Sequence, residues 1–300
     1  MKNSLRNELI RREIRRLLER CRKYRIEPVF FGGVVTASED DRQTPSDIDL
    51  LISRKETKTM EALLRSLGYV TDAANLHKSW EMTFVKQTPF PLEVDVHWRL
   101  TFPTHGRLDP LPKEKIETLT ENFRSGAKKT IFRGQEILTP KPEDLLVYQI
   151  IHFIINHNAR GLKWLYGMAR DIRQTRIDWP LFLEKITSMD LKSLAYFTFR
   201  LTDDILNTKP PDKVMEALKP KHLFFPLAAK LTSAKRICAP FPVKNVPNAI
   251  VKQAGAELTL LLFLIYDKPL LWKLRFLLTP FIRPRLFLSL KSYAQALVSR

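Results

Sequence analysis

The spacing of hydrophobic positions changes near residue 139 of the chain. Upstream, short apolar runs of strand length alternate with helical stretches. Downstream, apolar positions recur only every three or four residues, which is typical of helices. The sequence therefore predicts an α+β fold: a small mixed sheet flanked by helices over residues 1–139, followed by an all-helical domain over residues 140–300.

The individual elements follow from the same patterns. Strands are predicted at residues 29–31, 47–52, 80–85 and 92–98, and a hairpin at 130–138. Helices are predicted at residues 4–25, 56–67, 145–156, 162–173, 179–188, 190–206, 212–218, 222–236, 247–266 and 286–298. Residues 103–114 are rich in turn-forming residues and are predicted to be a loop.

The second predicted strand carries two carboxylates on one face. Because successive strand side chains point to opposite faces, Asp47 and Asp49 lie together, while Ile48 and Leu50 point into a core. Adjacent carboxylates repel each other unless a cation lies between them, and Mg²⁺ is commonly held by carboxylates together with substrate phosphates. The strand therefore indicates a divalent metal site, with a solvated acidic strand end as the structural alternative.

A pair of glycines precedes this strand. Gly32 and Gly33 end the strand at residues 29–31, and without a Cβ they let the backbone approach a ligand closely. If residues 34–38 begin a helix, the N–H groups of its first turn suit an anion such as a phosphate. An ordinary structural turn is the alternative interpretation of the same two glycines.

The fourth predicted strand is also polar on one face. Glu93, Asp95 and His97 alternate with apolar residues, so their three side chains share that face. They indicate either a contribution to the same site or only the solvated face of an edge strand. His97 has three interpretations: contact with a metal or its surroundings, contact with substrate, or capping of the strand end.

The net charge of +18 favours polyanionic partners, namely nucleic acid, nucleotide phosphates or an acidic membrane surface. Arginines crowd the polar side of the helix predicted at residues 4–25, which indicates a nucleic-acid face or, alternatively, a solvated helix face. Residues 268–300 contain no acidic residue and mix leucines with basic residues. That segment suits peripheral contact with an anionic membrane, a nucleic-acid backbone or a pair of core helices.

Several features favour a cytoplasmic location. The longest apolar run, residues 258–266, is too short to cross a bilayer, so no transmembrane segment is predicted. The highly charged N-terminus is unlike a signal peptide. Cys21 and Cys238 have no metal-ligand spacing and form no disulfide framework, which fits a reducing compartment.

The glycine pair followed by an Asp-hydrophobic-Asp-hydrophobic strand resembles the signature of the polymerase-β-type nucleotidyltransferase superfamily. Over residues 28–173, about half of the chain, the sequence is similar to an uncharacterised bacterial nucleotidyltransferase family. The blocks that carry this resemblance are Gly32-Gly33, Arg42, Ser46-Asp47-Ile48-Asp49-Leu50-Leu51-Ile52, Leu67-Gly68-Tyr69, Val94-Asp95-Val96-His97-Trp98, Pro142-Glu143-Asp144-Leu145-Leu146, His152, Trp164-Leu165 and Asp171-Ile172.

The resemblance implies a metal-dependent enzyme. An acceptor hydroxyl, whose identity the sequence does not give, would attack the α-phosphate of a nucleoside triphosphate, and pyrophosphate would leave. Asp95 would be the third carboxylate, supplied by a neighbouring strand. The implied residues are Asp47, Asp49 and Asp95 for catalysis and for Mg²⁺ or Mn²⁺; Gly32, Gly33, Arg42 and Ser46 for the nucleotide; and Glu93, His97 and His152 for substrate or the surroundings of the metal.

One position departs from the family pattern. Members often carry Lys-Gly at the glycine turn, and here Phe31 or Gly32 fills the lysine position. Arg42, Arg54 or Lys55 could supply the missing positive charge near the triphosphate. The alternative function is therefore a catalytically inactive protein of the same fold that binds nucleic acid or an anionic membrane surface through its basic faces.

Two histidines lie in the predicted helical domain. His152 and His157 are five residues apart, a spacing at which side chains of an α-helix do not share a face well. A shared metal is therefore disfavoured. His152 is expected to pack between the two domains or to lie near the acceptor.

Overall fold

The structure is a computed structural model that describes residues 2–36, 45, 47–71, 80–88, 90–101, 111–132, 134–157, 159 and 161–220. Arg42 and Ser46 lie outside the described residues, as do the helices predicted at 222–236, 247–266 and 286–298 and the basic segment 268–300. The described residues form two compact units. The first contains the residues up to 101 together with 113–145, and the second contains 111–112 and 146–220. The predicted boundary after residue 139 is a few residues earlier than this division.

Six strands of the described residues form one mixed sheet. They are β1 (Val29–Phe31), β2 (Ile48–Leu51), β3 (Glu81–Lys86), β4 (Leu92–His97), β5 (Lys128–Phe132) and β6 (Gln135–Thr139). Their order across the sheet is β3-β4-β2-β1-β6-β5. The prediction of a mixed sheet flanked by helices is therefore confirmed.

Parallel and antiparallel pairs alternate across this sheet. β2 is antiparallel to β1 and parallel to β4, while β3 is antiparallel to β4. On the other side, β1 is parallel to β6, which pairs with β5 as an antiparallel hairpin. The two acidic strands predicted from the sequence, β2 and β4, are therefore direct neighbours in the sheet.

Helices of the first unit cover the sheet. They are α1 (Lys2–Lys23), α2 (Gly33–Thr36), α3 (Thr57–Ser66) and α4 (Lys113–Ser125), with a 3₁₀ turn at Arg54–Glu56. Ile10, Ile14 and Leu17 of α1 are spaced three or four residues apart, so they form one buried stripe. Leu50 and Val96 of the sheet are buried in the same cluster. The face of the sheet that carries Leu50 is thus the core, and the carboxylates alternate to the opposite face.

A buried ionic cluster ties α1 to strand β3. Both carboxylate oxygens of Glu13 accept hydrogen bonds from Nζ of Lys86, at 3.1 and 3.0 Å. The hydroxyl of Tyr69 donates a third hydrogen bond to Glu13 at 3.2 Å. Because Glu13 is satisfied by these donors, it has a structural role in the packing of α1.

Helix α4 was not among the predicted elements. The predicted loop at 103–114 is wrong for its last two residues, because the helix begins at Lys113. Ile116, Leu119 and Phe123 form its buried stripe. The ring of Phe123 packs edge-on against Phe31 of β1, with ring centroids 5.6 Å apart. The helix therefore packs against the same face of the sheet as the carboxylates, beside β1.

The described part of the second unit is helical. Its elements are α5 (Pro142–Ile151), which begins in the first unit and continues into a π-helical turn at His152–Asn156, α6 (Leu162–Gln174), α7 (Trp179–Ser188), α8 (Lys192–Leu206) and α9 (Asp212–Leu218). α8 begins two residues later than predicted because Asp190 has φ +58°, which a right-handed helix does not allow. Among the described helices, none combines the length and the apolar character that crossing a membrane requires.

Candidate metal and nucleotide site

The register of the two acidic strands sets the geometry of the site. In the parallel pair of β2 and β4, Asp49 lies directly opposite Asp95. In the antiparallel pair of β1 and β2, Asp49 lies opposite Phe31. Residues paired across a sheet share a face, so the three side chains lie side by side on the face opposite the core formed with α1.

The glycine turn lies against Asp49 of β2 and against Asp47, which directly precedes that strand. A Cβ on Gly32 would lie 1.9 Å from Oδ2 of Asp49, and a Cβ on Gly33 would lie 3.4 Å from Oδ1 of Asp47. Gly32 also has φ +61°, a conformation that residues with a Cβ rarely adopt. Glycine at position 32 is therefore required twice, for the backbone conformation and for the approach of Asp49.

His97 links the site to a third strand. Its Nε2 lies 3.5 Å from Oδ1 of Asp49, and its Nδ1 lies 3.4 Å from Oε2 of Glu81 on β3. The ring of Phe31 packs edge-on against the imidazole, with centroids 5.0 Å apart. Phe31, one of the two residues that could fill the lysine position of the resemblance, is thus a buried ring that contacts His97.

The electrostatics of this cluster favour a cation. Burial raises the pKa values of Asp49 and Asp95, because a charged carboxylate loses solvation there. For Asp95 the pKa rises to about 7; a hydrogen bond from Thr83 opposes the rise, and the charge of Asp49 adds to it. Burial lowers the pKa of His97, but contact with Asp49 and the charges of Glu81 and Asp95 outweigh this effect and raise it.

The donor atoms fit a hard divalent cation. Oδ1 of Asp95 is buried and makes no hydrogen bond, and carboxylate oxygens are the ligands that Mg²⁺ prefers. Within the described part of the chain, no three acidic, histidine or cysteine side chains already surround a point that could hold an ion. To coordinate one cation, the carboxylates of Asp47, Asp49 and Asp95 would therefore have to turn toward a common point.

The other predicted site residues are spread more widely. Glu93 is half-buried on β4, on the same face as Asp95 and two residues before it. Arg54 and Lys55 are exposed in the 3₁₀ turn that follows β2. The roles predicted for these residues toward substrate or phosphate stay predictions.

Sequence reasoning missed Glu81 and Thr83. In the antiparallel register of β3 and β4, Glu81 lies opposite His97 and Thr83 lies opposite Asp95. Their alternation in the sequence places them on one face of a strand, which is the signal that could have found them. Without the register of β3 against β4, that signal does not say which side chains they meet.

His152 lies in the π-helical turn of the second unit. The expectation that His152 and His157 do not share a face is wrong, because in a π-helix residue i hydrogen-bonds to i+5, and the N–H of His157 bonds the carbonyl of His152 at 3.1 Å. Their Nε2 atoms are 2.7 Å apart, and the ring of Trp164 stacks on His157 with centroids 4.2 Å apart. Burial and the charge of Lys163 lower the pKa of His157 to about 4, so His157 is neutral at physiological pH.

The sequence model of one protein family, described as "Uncharacterised nucleotidyltransferase", matches residues 1–207 of the 300 in the chain. The chain belongs to this nucleotidyltransferase family. All of the site described above, from Gly32 to His97, lies within the matched residues, and so does the π-helical turn. No curated protein matches the nucleotidyltransferase.

Proposed function

We propose that this nucleotidyltransferase moves a nucleoside monophosphate from a nucleoside triphosphate to an acceptor hydroxyl in a reaction that requires Mg²⁺ or Mn²⁺. The observation that supports this most directly is the alignment of Asp49 with Asp95 on neighbouring parallel strands, against the Gly32 backbone. Family membership supplies the reaction class, and the carboxylate donors supply the argument for the metal.

Each residue of the site has a defined task in this reaction. Asp47, Asp49 and Asp95 would hold the cation, which would supply positive charge to neutralise the triphosphate and polarise the α-phosphate. The backbone N–H groups at Gly32 and Gly33 contact the phosphates. The acceptor oxygen forms a bond to the α-phosphorus, the bond from that phosphorus to the bridging oxygen of the β-phosphate breaks, and pyrophosphate leaves. Asp95, which lies opposite Asp49 on the neighbouring strand, takes the hydroxyl proton.

Transfer of label from nucleotide to an extract tests this proposal. The protein is incubated with each of the four α-³²P-labelled ribonucleotides, Mg²⁺ or Mn²⁺, and cell extract as the source of acceptor. Wild-type protein is expected to label an acceptor, and Asp47→Ala and Asp49→Ala are expected to label none. Absence of transfer by the wild-type protein with all four nucleotides and both metals contradicts the proposal.

A second candidate function, polyanion binding, is favoured by the surface of α1. Arg12, Arg15, Arg16 and Arg20 are exposed on the side of α1 that faces away from the sheet core. Arg12 and Arg16, and likewise Arg16 and Arg20, are four residues apart, and like-charged pairs at this spacing each cost a helix roughly 0.2–0.5 kcal/mol. An ion pair between Arg16 and Glu13 at 3.1 Å offsets part of this repulsion. A ligand with regularly spaced phosphates would relieve this repulsion, so we assign the surface to a nucleic-acid backbone.

Neutralising this surface should weaken nucleic-acid binding in a salt-dependent way. We expect the triple variant Arg12→Gln, Arg15→Gln, Arg20→Gln to bind a labelled single-stranded RNA at least about tenfold more weakly than wild type, and to lower the salt slope by about two units, because about 0.7 counterions are released per contact. Fluorescence anisotropy over a salt series measures both quantities. The matched control replaces three exposed lysines elsewhere, Lys58, Lys128 and Lys213, by Gln. If both variants lose RNA affinity equally, the effect comes from the net charge of the protein, and the assignment to α1 is contradicted.

A further inference from the structure

We propose that Glu81 is a positioning residue of the metal site, which acts by fixing His97 and, through His97, the carboxylate of Asp49. The inference rests on the proposed function, because it concerns how the site is prepared for a cation. Glu81 belongs to neither of the acidic strands that the sequence motifs single out, and it lies on the neighbouring strand β3.

The three side chains form a chain of contacts across neighbouring strands. Glu81 lies opposite His97 in the register of β3 and β4, and its Oε2 is 3.4 Å from Nδ1 of the imidazole. The other ring nitrogen, Nε2, is 3.5 Å from Oδ1 of Asp49. One imidazole therefore spans two carboxylates at ion-pair distance, and neither contact has hydrogen-bond geometry.

Neighbouring side chains surround the imidazole ring on three sides. Phe31 packs edge-on against it, and Glu81 and Asp49 meet its two nitrogens. The His97 side chain is only 7% exposed, so water has little room to replace a lost protein contact. The charge of Glu81 favours the χ2 orientation of His97 in which Nδ1 faces Glu81 and Nε2 faces Asp49. Without that charge the ring could rotate about χ2, and Nε2 would no longer be held toward Asp49.

The orientation of Asp49 depends on the same chain. One carboxylate oxygen, Oδ2, lies against Gly32, where a Cβ would come within 1.9 Å of it. The other, Oδ1, faces His97. Both oxygens of Asp49 thus lie against neighbours. Of these two contacts, the one with His97 involves a side chain that itself contacts a further charged residue. Glu81 is that residue.

Two variants of Glu81 separate positioning from charge. Glu81→Gln removes the charge, whereas Glu81→Asp keeps the charge but withdraws it from His97 by one methylene. Outer partners of metal-site residues typically change metal affinity by about 10–100-fold, and we expect both variants to raise the Kd for Mn²⁺ by about tenfold or more. Free Mn²⁺ is measured by electron paramagnetic resonance on the full chain, without nucleotide, and thermal unfolding checks that each variant is folded.

The matched control is Glu136→Gln, the same substitution on strand β6 of the same sheet. Glu136 is exposed and pairs with Lys129 at 3.0 Å, so its replacement is expected to leave the Kd for Mn²⁺ within twofold of wild type. If Glu81→Asp binds Mn²⁺ as tightly as wild type, charge alone accounts for the effect of Glu81, and the positioning role is overturned.

A double-mutant cycle with His97→Gln tests the route of the effect. If Glu81 acts through His97, adding Glu81→Gln to His97→Gln causes no further loss of Mn²⁺ affinity. An additive loss means that Glu81 acts on the cation directly, which overturns the proposal while leaving the proposed function in place. Failure of wild-type protein to bind Mn²⁺ more tightly than Asp49→Asn overturns the metal-dependent function itself, and the positioning role with it.

Discussion

Gly32→Ala is expected to disrupt the site more than a comparable glycine substitution elsewhere in the sheet. The new Cβ would lie 1.9 Å from Oδ2 of Asp49, so the carboxylate or the turn has to move. Adopting a left-handed backbone costs roughly 1–2 kcal/mol for a residue with a Cβ. Overpacking adds roughly 1–3 kcal/mol. We therefore expect Gly32→Ala to lower the free energy of unfolding by about 2–5 kcal/mol and to weaken Mn²⁺ binding strongly.

Gly134→Ala is the matched control for this prediction. Gly134 lies between β5 and β6 with φ +77°, and a Cβ there meets no atom within 4 Å. It should lose only the roughly 1–2 kcal/mol of backbone strain and keep the Mn²⁺ affinity of wild type. Chemical denaturation and Mn²⁺ titration of both variants measure the difference. Equal loss of stability, with metal binding unchanged in both, would show that Gly32 serves the turn alone.

Asp95→Asn is expected to abolish most of the activity while stabilising the metal-free protein. Loss of one electrostatic contact to a transition state lowers rates by about 10²–10³-fold in other enzymes, and we expect a loss of at least this size in nucleotidyl transfer. In the metal-free protein, by contrast, Asp95 is a buried carboxylate with an unpartnered Oδ1 beside another acid, so its charge opposes folding. The amide removes that charge without changing the shape of the side chain.

The stabilisation should depend on pH in a defined direction. The folded-state pKa of Asp95 is raised from 3.8 to about 7, so the folded state binds this proton more tightly than the unfolded state does. Below about pH 4 the side chain is protonated in both states, so it does not lower the free energy of unfolding. The destabilisation by the charged carboxylate grows as pH rises and is complete above about pH 7. At about pH 8 we expect Asp95→Asn to be more stable than wild type by roughly 1–3 kcal/mol.

Thermal unfolding with and without Mg²⁺ across this pH range checks both halves of the prediction. Mg²⁺ should stabilise the wild-type protein by mass action and leave Asp95→Asn unchanged. A metal-free Asp95→Asn protein that is less stable than wild type at about pH 8, or that keeps more than about a tenth of the transfer rate, would show that Asp95 has a structural role only.

Much of the site was predictable because strand alternation and glycine chemistry are local properties. The alternation around Asp49 and Asp95 already places each carboxylate on a polar strand face. Glycine at position 32 adopts φ +61° without strain and leaves room for Asp49, which a Cβ would meet at 1.9 Å. The strand pairing of β2 with β4 and the opposition of the two acids are long-range facts. The sequence supplied them only through resemblance to a family.

The missed features each depend on a tertiary contact. Glu81 acquires its partner only through the register of β3 against β4, which a single strand does not encode. Helix α4 carries a regular stripe of Ile116, Leu119 and Phe123, but the turn-rich residues before it obscured its start. The two histidines of the second unit meet because one turn is π-helical, a conformation that α-helical spacing rules do not anticipate.

The central claim is that Asp49 and Asp95, drawn from neighbouring strands, bind a divalent cation beside Gly32 for nucleotide transfer. Anomalous diffraction from crystals soaked with Mn²⁺ and a non-hydrolysable nucleoside triphosphate tests this most directly. The account predicts an anomalous peak for a Mn²⁺ ion that the carboxylates of Asp49 and Asp95 bind jointly, with the triphosphate against the glycine turn. Peaks confined to other parts of the protein, or nucleotide bound without Mn²⁺ at these two carboxylates, would contradict it.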